Sequence, residues 1–187
     1  AYHSAQDLID QHADVAFETR VGFLRSAARG LAYLHANGIL HRDIKPANVL
    51  VFSLAPGVAV PAKLSDFGSS RNTSQTFETM TFTKGVGTPA YMAPEILDMQ
   101  HYNTPADIYS LGVTMYEVGR WASFFVAPRF SFPWDIADFV LAGRRPEQDD
   151  LPDAFYTVVS QCWCQDKAAR LTADQVVSKL SDGQACV

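Results

Sequence analysis

His41-Arg42-Asp43-Ile44-Lys45-Pro46-Ala47-Asn48-Val49-Leu50 sets an acid, a lysine and an amide at fixed spacing ahead of an apolar run. A second acid follows in Asp66-Phe67-Gly68, and a third short signature in Ala93-Pro94-Glu95. Together they suit one kind of chemistry. A carboxylate such as Asp43 can accept or orient a hydroxyl proton. Lys45 supplies a fixed positive charge, and the oxygens of Asn48 and Asp66 suit a hard cation such as magnesium. Taken singly, each has a plain alternative: a turn acid bonding its own backbone, a solvated lysine, an amide capping a turn.

Working outward, 187 residues suit one domain with a real core. The net charge of −5 speaks against nucleic acid as the main partner, since phosphate binding needs a basic face. There is no apolar run long enough for a membrane span, and the start, Ala1-Tyr2-His3-Ser4, shows neither the basic region nor the apolar stretch expected of a secretion signal. Three cysteines make a poor disulfide framework and suit a reducing, cytoplasmic setting. Cys162 and Cys164 flank Trp163 without the two further ligands that zinc needs, so they are read as part of a packed helix face. No initiator Met is present, which fits a fragment.

The periodicity is mostly helical. Ser4 to Gln11 forms a short helix candidate. Phe17, Val21, Leu24, Ala28 and Leu31 form one stripe on a long helix that stops at Gly38. Val49 to Phe52 and Ala62 to Leu64 read as two small strands around Ala55-Pro56-Gly57. Residues 69 to 88 have no usable period and read as a long loop. Thr104-Pro105-Ala106-Asp107 predicts a helix start, with the threonine hydroxyl as cap and the acid closing it. The helix that follows is apolar on most sides and so belongs in the centre. Further helices are predicted at Trp134 to Leu141, stopped by Gly143, at Ala154 to Cys164, and at Thr172 to Leu180 with Thr172 and Gln175 as a capping box. The Trp121 to Pro133 stretch is rich in Phe and Trp. Its aromatics are expected to pack under the loop rather than form a docking surface.

The three signatures, in this order, resemble the catalytic loop (41–50), the metal-binding turn and the end of the activation segment (66–95) of a protein kinase. The whole chain resembles the larger, C-terminal lobe of such a kinase: mainly α, with a minor β-hairpin and no N-terminal lobe. The resemblance implies ATP and Mg²⁺ as cofactors, Asp43 to orient the acceptor hydroxyl and Lys45 beside the transferring phosphoryl. It also implies Asn48 and Asp66 on the metal and Leu50 under the adenine. Thr88, in Gly87-Thr88-Pro89-Ala90-Tyr91-Met92-Ala93-Pro94-Glu95, would bond Asp43 and Lys45, and both Lys45 and Thr88 point to protein substrates with Ser or Thr hydroxyls.

By the same likeness, Asp107 would anchor the catalytic-loop backbone, and Glu95 and Arg170 would form a buried ion pair. His41 and Phe67 would belong to an internal apolar spine. Arg42 would meet a phosphate on one of Thr73, Ser74, Thr76, Thr79, Thr81 or Thr83. Gly143-Arg144-Arg145-Pro146 with Cys162-Trp163 resembles the tyrosine-kinase-like subgroup of Ser/Thr kinases, although Leu171 stands where a proline commonly follows the arginine.

The sequence contains no G-x-G-x-x-G loop, no Val-Ala-Ile-Lys strand and no partner glutamate for that lysine. The expectation is therefore a kinase whose missing N-terminal lobe must act in cis, with the isolated chain inactive. The competing expectation is a catalytically silent, kinase-like binding module.

Overall fold

A computed structural model describes residues 3–72 and 88–181. Its framework is helical. α1 (Ala5–Asp10) starts at Ser4, whose hydroxyl accepts from Asp7 N while the Asp7 carboxylate accepts from Ser4 N, a reciprocal cap. α2 (Phe17–Ala36) is the long helix of the predicted stripe: Val21, Leu24, Ala28 and Leu31 are buried, and Phe17 packs edge-on against Phe155. It ends where Gly38 takes a left-handed φ of 66°.

The predicted hairpin is present as β3 (Val49–Val51) and β4 (Ala62–Leu64), antiparallel with Leu50 opposite Lys63. The β content is larger than a hairpin. β1 (His3–Ser4) adds to the other edge of β3, giving the order β1-β3-β4. A separate pair joins β2 (Ile39–Leu40) to β5 (Arg71–Asn72). These extra strands are two residues long, too short to leave a period-2 pattern in the sequence.

α3 (Pro94–Leu97) leads to α4 (Thr104–Arg120), whose residues from Ala106 to Gly119 are all buried. Its cap differs from the expectation. The N-cap is Asn103, with no side-chain cap bond, and Thr104 is the first helical residue. The Asp107 carboxylate is drawn instead to partners outside the helix.

α5 (Pro133–Leu141), α6 (Asp153–Cys162) and α7 (Ala173–Ser181) complete the fold. α7 packs on α2, and α6 on α4. The Thr172–Gln175 capping box is formed, at 2.8 and 3.3 Å. α4 and α6 approach through glycines: a Cβ on Gly112 would lie 2.8 Å from Cys162 Cβ, and one on Gly119 would lie 2.7 Å from the Phe155 ring. Cys162 is fully buried, and burial pushes its thiol well above the usual range. Among the described residues no helix is long and apolar enough to cross a membrane.

The aromatic stretch divides in two. Phe124, Phe125 and Phe130 pack with Phe139 of α5 at centroid distances of 5.0 to 6.2 Å, as expected of rings under a loop. Phe132, just beyond them, stacks instead on Trp134 at 4.5 Å, and both rings are more than half exposed. They lie at the start of α5, past the point where the chain turns back onto the core.

Candidate functional site

The site is built on the first turn of α4. Asp107 is fully buried there, and its two oxygens collect four partners. Oδ2 accepts from His41 N at 2.9 Å and lies 2.9 Å from His35 Nε2; Oδ1 accepts from Arg42 N and from the Tyr102 hydroxyl, each at 2.9 Å. The backbone just before Asp43 is thus held by a carboxylate 65 residues away, as the resemblance implied. Arg42 has a φ of 73°, a left-handed conformation that this clamp enforces. Tyr102 is pushed well above its ordinary pKa, first by burial and then by the Asp107 charge.

Beyond the clamp, Asp43, Lys45, Asn48 and Thr88 converge. Lys45 Nζ donates to Asp43 Oδ2 at 2.7 Å and to Thr88 Oγ1 at 3.1 Å. Thr88 Oγ1 lies 3.4 Å from Asp43 Oδ1. Asn48 Nδ2 donates to Asp43 O at 2.6 Å and to Asp43 Oδ2 at 3.2 Å. With its nitrogen committed in this way, Asn48 has its amide oxygen left to offer a ligand.

Asp66 is joined to this group through its neighbour. Asn48 O accepts from both Ser65 N (2.9 Å) and Ser65 Oγ (3.1 Å). Ser65 O accepts from His41 Nε2 at 2.9 Å, while His41 Nδ1 faces Asp43 N at 3.4 Å, so one tautomer, protonated on Nε2, serves both bonds. Asp66 itself has a φ of 62°, uncommon for a residue with a side chain, and accepts from Gly68 N at 3.2 Å. Phe67 meets the buried His41 ring edge-on at 5.6 Å, but it is itself 54% exposed, so of the two expected spine residues only His41 is internal. Leu50 is half-buried on β3, between Ser4 and Lys63.

The donor set suits magnesium. Among the described residues no three His, Cys, Asp or Glu side chains gather to hold a metal. Asn48 and Asp66 offer oxygens alone, and magnesium keeps several waters and takes few protein ligands.

Further along, Arg170 forms a two-pronged pair with Glu95, Nη1 to Oε1 at 2.6 Å and Nη2 to Oε2 at 2.7 Å, both side chains buried. Three residues of the clamp region escaped sequence reasoning: His35, Tyr102 and Ser65. So did a second buried acid of α4, Glu117, which accepts from the Tyr91 hydroxyl at 2.6 Å and from Phe124 N at 2.8 Å. Burial raises the Glu117 pKa; burial and the Glu117 charge raise that of Tyr91. None of these partners shares a local period with the residue it serves. The hydroxyls proposed for Arg42, at positions 73 to 83, lie outside the described residues.

A model of the protein kinase domain matches residues 2–180. The chain is 38% identical over 163 residues to a probable serine/threonine-protein kinase, gdt2, of Dictyostelium discoideum, covering 83% of this chain and 9% of that protein. It is 31% identical over 175 residues to an RGS domain-containing serine/threonine-protein kinase of the same organism, covering 92% and 14%. With serine/threonine-protein kinase PkaB of Streptomyces coelicolor the figures are 33% over 181 residues, 93% and 42%. The chain therefore spans less than half the length of these curated relatives.

Proposed function

The chain belongs to the protein kinase family, and on that premise we propose that it is the C-terminal lobe of a serine/threonine kinase, transferring the ATP γ-phosphoryl to Ser or Thr hydroxyls of a protein. ATP with magnesium supplies the transferable phosphoryl and the charge that balances it. The residues then have positioning work. Asp43 orients the acceptor hydroxyl and receives its proton. Lys45 neutralises charge beside the phosphoryl group. Asn48 and Asp66 turn oxygens to the metal, and Leu50 lies under the adenine. Thr88 fixes the lysine and sits where a Ser or Thr acceptor enters.

The observation that carries this reading is the Lys45 ammonium between Asp43 and Thr88, at 2.7 and 3.1 Å. It ties the base to residue 88, which is distant in sequence and would flank the acceptor. The sequence of residues 1–187 has no glycine-rich loop or strand lysine to cradle phosphates. We therefore propose that transfer needs those elements from an N-terminal lobe in cis and that residues 1–187 alone transfer little.

The test is transfer of radiolabelled γ-phosphate to a Ser/Thr protein substrate, by the chain with and without such a lobe. The lobed chain should be active, and Asp43→Asn should lower its rate by about 10²- to 10⁴-fold, the usual worth of a general base. An undiminished Asp43→Asn rate would remove the proposed role of Asp43. Robust transfer by residues 1–187, abolished by Asp43→Asn, would overturn the need for the lobe.

A further inference from the structure

Ser65 stands between the two residues assigned to the metal, and it is bonded through every polar atom it has. In the β3–β4 ladder Val49 faces Leu64, so Asn48 faces Ser65 one step beyond the register. There the Asn48 carbonyl accepts twice, from Ser65 N at 2.9 Å and from Ser65 Oγ at 3.1 Å. The Ser65 carbonyl in turn accepts from His41 Nε2 at 2.9 Å. The first bond to Asn48 continues the ladder and is open to any residue with a backbone N–H. The second needs a hydroxyl.

The residues after Ser65 have little else to hold them. Asp66 leaves the ladder at once, with a φ of 62°. Its carboxylate is turned back onto Gly68 N at 3.2 Å, and a Cβ on Gly68 would come within 3.1 Å of Oδ1. Burial anchors none of this turn, since Asp66, Phe67 and Gly68 are all exposed. The place of the Asp66 carboxylate is therefore set from upstream. Asn48, by contrast, is buried, and its amide nitrogen is held by Asp43 O and Oδ2 at 2.6 and 3.2 Å. Asn48 is the fixed member of the pair, Asp66 the carried one, and Ser65 the link between them.

We propose that Ser65 is a positioning residue for magnesium, its hydroxyl fixing the span between the Asn48 amide oxygen and the Asp66 carboxylate. That role presupposes the reading of Asn48 and Asp66 as the metal oxygens. Two bonds on one carbonyl keep the end of β4 from pivoting about either. Magnesium demands near-ideal octahedral geometry, so a span left to drift weakens the metal before it weakens the nucleotide. Without the hydroxyl, the Ser65 N–H bond and the ladder remain, so the fold persists.

The test is calorimetric titration of the lobed chain with ADP at stepped Mg²⁺ concentrations. In Ser65→Ala, the Mg²⁺ needed for half of the magnesium-dependent gain in ADP affinity should rise about three- to tenfold, the worth of one neutral hydrogen bond. ADP binding without magnesium should stay unchanged, and Ser65→Thr, which keeps the hydroxyl, should restore the parent value. Thr172→Ala opens the α7 capping box, which bonds none of these residues, and lowers stability by a comparable amount. It should leave the Mg²⁺ requirement alone. An unchanged requirement in Ser65→Ala overturns the proposal. So does an equal rise in Thr172→Ala, which would make the effect one of stability. A matching loss of ADP affinity without magnesium also overturns it, since the hydroxyl would then serve the nucleotide. Asp66→Asn separates this role from the reading beneath it, because it should abolish the Mg²⁺ dependence. If it does not, the metal assignment falls and the role of Ser65 with it; if it does while Ser65→Ala matches the parent, only the role of Ser65 falls.

Discussion

Asp107 and Glu117 stand ten residues apart on α4, both buried, and their surroundings treat them differently. Asp107 lies in the first turn, where free backbone N–H groups and the helix dipole favour a negative charge. Four groups point at it: His41 N, Arg42 N, the Tyr102 hydroxyl and His35. Glu117 lies in the last turn, where the dipole opposes its charge, and it has two donors, the Tyr91 hydroxyl and Phe124 N. Burial prevails there and raises its pKa. Equal burial is therefore not equal cost. Position in the helix and the number of donors decide whether a buried acid organises its neighbours or strains against them.

The sharpest way to break this comparison is to truncate each acid. Asp107→Ala strands two backbone donors, a hydroxyl and an imidazole, each worth about 1–3 kcal/mol when left unsatisfied. Urea denaturation should show a loss of about 4 kcal/mol or more, against about 2 kcal/mol for Glu117→Ala with its two donors. Equal losses would mean that burial alone sets the cost.

A finer cut keeps the shape and removes the charge. Asp107→Asn turns one accepting oxygen into a donor facing other donors, so it should still cost about 2 kcal/mol. Glu117→Gln should cost less than about 1 kcal/mol, because a neutral amide can still accept from Phe124 N. The same denaturation measurement ranks them, and a Glu117→Gln loss as large as that of Asp107→Asn would contradict the ranking.

The smallest effect is in pH. The Glu117 pKa is higher in the folded state than in the unfolded one. Between the ordinary carboxylate range and that raised value, the folded chain keeps a proton that the unfolded chain has released. The Glu117 contribution to stability is therefore full below the window and falls as pH rises through it. In Glu117→Gln this component should vanish, which calorimetric melts would register as a Tm difference of about 2–4 °C per kcal/mol. Identical Tm profiles for parent and variant would remove Glu117 as its source.

How much of this could be read from the sequence follows from how local each signal is. The α2 stripe and the Thr172–Gln175 cap repeat within a few residues, and both are formed. The convergence of Asp43, Lys45, Asn48 and Thr88 was legible because the flanking residues of each make a motif. Long-range partners were legible only where both ends lie in such motifs, as with Asp107 and residues 41–42 or Glu95 and Arg170. His35 and Tyr102 reach Asp107 from outside its helix, and the β1–β3 and β2–β5 pairs join residues 46–48 and 31–33 apart. The cap falls on Asn103 and not Thr104 because Asp107, in an ordinary capping sequence, has a better set of partners elsewhere. The aromatics of 121–133 form one group in the sequence, although the chain packs Phe124, Phe125 and Phe130 on Phe139 and leaves Phe132 outside.

The glycine notches of α4 have a mechanical meaning. Gly112 and Gly119 are two turns apart and so lie on one face, with Cys162 and Phe155 seated where their β-carbons would be. A helix keyed at two points cannot slide along its neighbour or roll about its own axis without collision. α4 and α6 are therefore keyed together like two toothed rails, and the end of one rail carries the Asp107 grip on residues 41 and 42.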